Sequence, residues 1–224
     1  MVNDILFRCS SLGHIMTSSK TKEPLSETCK THLVDKMISV KYGRNTDIQN
    51  RYTIKGNMVE EDSLTLYSRH KKKFFKKNTE TLSNDFIVGT PDIITDKIID
   101  IKSSWDIYTF FRNKFGKINK MYYWQLQGYM ALTGLEKATL AYCLIDTPDI
   151  LINDEKRKLS YKMGIIDSSP DYELACLELE KAMTFSDIPM DDRIIEINIE
   201  RNEEDINSLY EKVKLCREYL KNIL

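Results

Sequence analysis

Residues 89–105, GTPDIITDKIIDIKSSW, constrain this chain more than any other stretch. Two short apolar runs flank TDK at 95–97, which reads as a three-residue turn. Folding about Asp96 pairs Ile94 with Ile98 and Asp92 with Asp100. Side chains alternate along a strand, so Asp100 and Lys102 share a face and Asp92 lies across from Asp100 on it. Ile93, Ile99 and Ile101 point to the other face, where they can fill a core. A turn shorter by one residue would send Asp92 to the opposite side. Two carboxylates so placed repel each other unless a cation sits between them. A hard divalent ion fits that position, with carboxylate oxygens, a backbone carbonyl and waters completing its shell. A surface hairpin with one solvated acidic face, and Lys102 as its cross-strand partner, fits the same spacing.

The surrounding pattern predicts an α/β domain, a mixed β-sheet flanked by helices. A helix from Leu25 is capped by Ser26, carries Leu33, Met37 and Val40 at helical spacing, and stops at Gly43. A second, NMVEEDSLTLYSRH, follows Gly56 with Val59, Leu64 and Tyr67 as its apolar stripe. KKKFFKK (71–77) and DFIVG (85–89) read as strands before the hairpin. KMYYWQLQGYMALTG is a helix ended by Gly134, and KATLAYCLID is a buried strand. Helices near 148–163 and 171–184, the strand DRIIEINIE and a closing helix complete the order. The closing helix carries Ile206, Leu209, Val213, Leu220 and Leu224 as its stripe. No Pro/Gly/Ser-rich linker divides the 224 residues, so one domain over 1–224 is expected, with a core at about 50–145 and an elaboration at 146–224.

Composition removes several function classes. The five cysteines (9, 29, 143, 176 and 216) are scattered and odd in number, so neither a disulfide framework nor a zinc or iron–sulfur cluster is expected. His14, His32 and His70 are equally dispersed. MVNDILF is no signal peptide and no apolar run approaches a membrane span, which predicts a cytoplasmic protein without a membrane partner. The net charge of −1 hides an asymmetry of +7 over residues 1–125 against −8 over 126–224. A basic front half suits a polyanionic partner.

PD at 91–92 and DIK at 100–102 resemble the signature of the PD-(D/E)XK nucleases, whose fold is a restriction-endonuclease-like core. Three further features are similar to the branch of phage recombination exonucleases that includes lambda exonuclease and the YqaJ-type viral recombinases. These are the glycine of GTPD, the Gly56-x-x-x-Glu60 helix motif, and Gln125-x-x-x-Tyr129. The resemblance covers roughly residues 8–145. It implies a metal-dependent deoxyribonuclease, a 5′–3′ exonuclease acting on duplex DNA ends in viral or mobile-element recombination. A structure- or site-specific endonuclease, and a non-catalytic DNA-binding relative, are the alternatives. Mg²⁺ or Mn²⁺ would be held by Asp92, Asp100, the Ile101 carbonyl and Glu60. Lys102 would activate the attacking water, and Gln125 would hold that water or a phosphate oxygen, with Gln127 as a competitor. DNA contacts are expected from Arg8, Ser10 and Ser11, from Lys72 and Lys73, from Trp105 by stacking on a base, and from Tyr129. For Trp105 a core position is the competing reading. A ring-shaped trimer is known in that branch, and a single-strand annealing protein is a partner the resemblance allows; nothing in the residues requires either.

Overall fold

The alternation across residues 92–102 sets the central sheet. In this computed structural model, which describes residues 4–45, 50–165 and 169–224, β4 (Ile93–Ile94) runs antiparallel to β5 (Ile98–Ser103). Ile94 lies opposite Ile98 and Ile93 opposite Ile99, the register expected from the turn. Thr95 N–H donates to the Lys97 carbonyl at 3.0 Å and closes that turn. β5 then pairs in parallel with β6 (Lys137–Cys143), and β6 pairs antiparallel with β7 (Ile194–Glu200). The sheet is therefore mixed, in the order β4-β5-β6-β7. A second sheet sets β3 (Ile87–Gly89) between β1 (Phe7–Arg8) and β2 (Leu82–Ser83).

Both faces of the central sheet are covered. Ile98, Leu140 and Tyr142 face the main core, which α6 (Lys120–Thr133) fills with Leu126, Tyr129 and Met130. α2 (Glu27–Tyr42) and α9 (Glu203–Ile223) complete it, and there the thiols of Cys29 and Cys216 meet at 3.7 Å. Ile93, Ile99 and partly buried Ile101 turn to the other face and pack with Leu66 and Tyr67 of α4 (Glu60–His70). Because β6 is buried on both sides, it reads as an unbroken apolar run rather than an alternating one. Ser26 caps α2 by accepting from Cys29 N–H, and Gly43 and Gly134 end α2 and α6 in the left-handed conformation.

Four expectations are corrected. KKKFFKK forms no strand: it leaves α4 through a left-handed Lys72 and continues as loop, with Lys71 and Lys77 drawn to carboxylates on neighbouring elements. The helix expected from Asn57 begins earlier, as α3 (Arg51–Met58) under an Asn50 capping box, and Val59 breaks it from α4. Val40 is exposed, so the core stripe of α2 does not extend to it. Cys216, rather than Leu224, completes the buried stripe of α9. A further helix, α5 (Ile107–Phe115), lies where no element was expected. α7 (Asp149–Met163) and α8 (Pro170–Met183) match expectation. No helix among the described residues is long and apolar enough to cross a membrane.

Candidate active site

Asp100 is fully buried in the middle of β5, where a carboxylate is costly unless charge answers it. Lys102, two residues on and on the same face, brings Nζ to 2.6 Å from Asp100 Oδ2. Buried Oδ2 has this ammonium and no other polar partner. Oδ1 accepts from Gln125 Nε2 at 3.2 Å. Burial works against the Lys102 ammonium, but the charges of Asp100 and Asp92 outweigh it and hold the lysine above its ordinary pKa. Lys102 also sits 5.3 Å from the centre of the Tyr122 ring.

Asp92 ends the β4 ladder. Its Oδ2 accepts from Ile101 N–H at 2.7 Å, so a side chain takes the place of a backbone carbonyl where β4 stops. Its backbone is fixed from the 71–81 loop. Asn78 N–H donates to the Asp92 carbonyl at 2.7 Å, and Asn78 Nδ2 donates to the Pro91 carbonyl at 3.0 Å. Burial first, then the charge of Asp100, raises the Asp92 carboxyl to about 7, with Glu60 adding to the rise.

α6 supplies the third wall. Gln125 Nε2 also donates to the Tyr129 hydroxyl at 2.9 Å, one helical turn on. Tyr129 is buried, so it positions Gln125 through this bond and does not reach outward to DNA. Its ring presses on β3: a Cβ added at Gly89 would lie 2.7 Å from Tyr129 Cε1 and 2.8 Å from Cys9 Sγ. The glycine of GTPD is thus where the ring needs room. Gln127, the competitor, is engaged elsewhere, donating to the Glu200 carbonyl at 2.8 Å and accepting from Asn202 N–H at 3.0 Å.

Glu60 opens α4, where the helix N-terminus favours a carboxylate. Ser63 of α4 and Ser103 of β5 share a 2.7 Å hydroxyl contact that seats the helix on the strand, a joint the sequence did not reveal. Glu60 borders the same cleft as Asp92, Lys102 and Gln125, a hollow of about 510 Å³. Its Oε2 pairs with Lys77 Nζ at 2.7 Å, and its charge still acts on the Asp92 carboxyl. Among the described residues no three acidic, histidine or cysteine side chains converge as a cage.

The remaining candidates divide. Ser10 borders both this cleft and a neighbouring one lined by Arg8, Ser11 and Lys36. Ser11 donates its hydroxyl to the Arg8 carbonyl at 2.8 Å. Lys72 and Lys73 lie in the loop after α4. Trp105 offers no face to a base: it is buried with Leu151, Ile152 and Met183, edge-on to Tyr52. Lys55, missed in the sequence, is buried and donates to the Ser104 and Trp105 carbonyls at 2.8 and 3.0 Å. Burial lowers its amine to about 7 against the pull of Asp146 and Asp106.

The donors fit a hard divalent cation. Asp92 and Asp100 offer carboxylate oxygens, one of them buried with only the Lys102 ammonium beside it, and Ile101 lines the cleft with Asp92. No sulfur or imidazole joins the set, as a softer metal would favour.

A mixed sheet carrying Asp92, Asp100 and Lys102 on one hairpin, with Gln125 on α6, resembles the arrangement of the PD-(D/E)XK nucleases. The chain is similar over 98% of its length, and 95% of the other chain's, to a phage related exonuclease from Haemophilus somnus 129PT, at 28% identity and a TM-score of 0.78. It is also similar to an alkaline exonuclease from Laribacter hongkongensis, at 15% identity and a TM-score of 0.65 over 97% of this chain and 88% of that one. A complex of that enzyme with dAMP matches at 16% identity over the same shares and the same TM-score; at this identity both comparisons speak to the fold alone. No family model matches the chain, and no curated protein does.

Proposed function

We propose that this chain is a metal-dependent DNA exonuclease, working 5′–3′ from duplex ends and supplying single strands for recombination in a virus or mobile element. The observation that carries the reading is the buried Asp100, tied to Lys102 and Gln125, which with Asp92 line a cleft of about 510 Å³. The similarity to a phage related exonuclease supports the choice of exonuclease over endonuclease. In this reading residues 1–224 act as one domain, since β7 of the 146–224 segment completes the sheet that holds β5.

Asp92, Asp100 and the Ile101 carbonyl would hold Mg²⁺ or Mn²⁺, with Glu60 acting through water. Such an ion acidifies a bound water and neutralises charge on the scissile phosphate. Lys102 places a point charge where phosphate charge grows. Gln125, held by Tyr129 and Asp100, orients the water or a phosphate oxygen.

Digestion of linear against closed circular duplex, with Mg²⁺ and with EDTA, tests the proposal. Loss of the linear form alone, and only with metal, is expected. Cleavage of the closed circle would mean an endonuclease, and no cleavage of either would mean a silent relative.

A further inference from the structure

α5 is the element no motif accounts for, and it carries two of the most exposed aromatic rings of the chain. Tyr108 is 67% exposed and Phe115 80%. They stand seven residues apart, on one side of the helix and about 10 Å apart along it. Phe111 and Arg112 lie between them and complete a shallow apolar hollow. The opposite side is anchored, with Phe110 fully buried in the main core. The rings therefore sit on a fixed platform rather than on a loose end.

Charge along this segment, between the Asp106 cap and Glu136, has one sign. From 107 to 135 the sequence holds Arg112, Lys114, Lys117 and Lys120 and not one Asp or Glu. Among the described residues none of these four cations has an ion pair or a hydrogen bond. Lys114 lies 5.7 Å from the Phe115 ring centre and 6.0 Å from that of Phe111. In the basic loop after α4, by comparison, Lys71 and Lys77 are paired with glutamates, while Lys72, Lys73 and Lys76 are not.

The platform is joined to the cleft wall by short stretches of chain at both ends. The chain leaves the cleft wall at Ser103, forms α5, and returns to that wall at Asn119, Met121 and Tyr122. Phe115 is four residues from Asn119, at most about 14 Å even if fully extended. That is on the order of four nucleotide steps along one strand at about 3.4 Å each.

We infer that α5 and the α5–α6 connection bind the unpaired DNA strand beside the cleft, with Tyr108 and Phe115 stacking on bases and Arg112, Lys114 and Lys117 following the phosphates. Exposed ring faces meet bases only where those are unstacked, so the surface selects single-stranded over duplex DNA. The inference rests on the proposed nuclease activity for the source of that strand: removing one strand leaves the other unpaired at the mouth of the site.

The test is fluorescence anisotropy of a labelled single-stranded oligothymidylate, in EDTA, with the full chain. Tyr108→Ala/Phe115→Ala should weaken binding by about 100-fold, roughly tenfold per ring. Phe115→Trp should retain wild-type affinity, and blunt duplex binding should change by less than about threefold, the stacking contribution being absent. Arg112→Gln/Lys114→Gln should flatten the plot of log affinity against log salt by about 1.4. Melting curves of the exposed-site variants should overlay the wild type. Unchanged oligothymidylate affinity in the double alanine variant overturns the inference. So does sedimentation showing a wild-type oligomer that this variant dissociates, because the platform would then cover another copy of the chain. The EDTA measurement does not depend on cleavage, so an inactive wild type would count against the nuclease proposal alone.

Discussion

Replacing Asp92 by Asn should stabilise the metal-free protein while abolishing cleavage. Folding moves this carboxyl from about 3.8 to about 7, because burial and the Asp100 charge both disfavour ionisation. The native state thus holds the proton more tightly than the unfolded chain. Stability from this group is complete below about pH 3.8 and is lost as pH rises through about 7. At pH 8 the ceiling on the loss is about 4 kcal/mol, from about 1.36 kcal/mol per pKa unit. Asp92 is partly exposed, so screening reduces this to about 2 kcal/mol. Asn keeps an oxygen for the Ile101 N–H and removes the charge. Melting followed by circular dichroism in EDTA should show Asp92→Asn about 4–8 °C above wild type at pH 8. At pH 5 the native carboxyl is protonated and the gain should shrink to less than about half. A variant that melts at or below wild type at pH 8, or gains equally at both pH values, would show that the carboxylate pair is not a source of instability.

Asp100→Asn should abolish cleavage of linear duplex while leaving the gel-shift affinity for DNA within about threefold, since shape is kept; normal turnover would remove Asp100 from the site. Lys102→Ala should lower the rate by about 10²–10³ and leave calorimetric Mn²⁺ binding intact; an equal loss in both would make the lysine structural. Gly56 lies within α3 and borders the cleft, and a Cβ added there meets no atom within 4 Å. Gly56→Ala should therefore raise stability by about 0.5–1 kcal/mol in denaturant melts yet slow cleavage, because the methyl enters the cleft; full activity would place the substrate elsewhere.

The hairpin was legible because two apolar sets, one per face, leave only one register that buries both. Ile93 and Ile99 could not go to their core without bringing Asp92 and Asp100 to the other side. The choice between Gln125 and Gln127 was not legible. Both are buried on one helix, and what separates them is a partner far along the chain, Asp100 for one and the Glu200–Asn202 turn for the other. The tie from Glu60 to Lys77 was hidden for a similar reason: residues 71–77 offer five lysines, and only the fold selects among them. α5 escaped because IYTFFRNKF is rich in β-branched and aromatic residues, which read as strand. Its signals were the Asp106 cap, accepting from Thr109 N–H, and the apolar triplet Ile107, Phe110 and Phe111.

The position of β7 bears on when the Asp100–Lys102 pair can form during synthesis. β5 leans on a two-residue strand on one side and on β6 on the other, and the far edge of β6 is covered by Ile194–Glu200. A ribosome-bound chain that has not yet released those residues carries β6 as an open edge, with unpaired N–H and C=O groups along its whole length. Until Ile194–Glu200 are released, the sheet that holds Asp100 and Lys102 lacks one of its four strands, although every residue of the cleft wall is translated earlier.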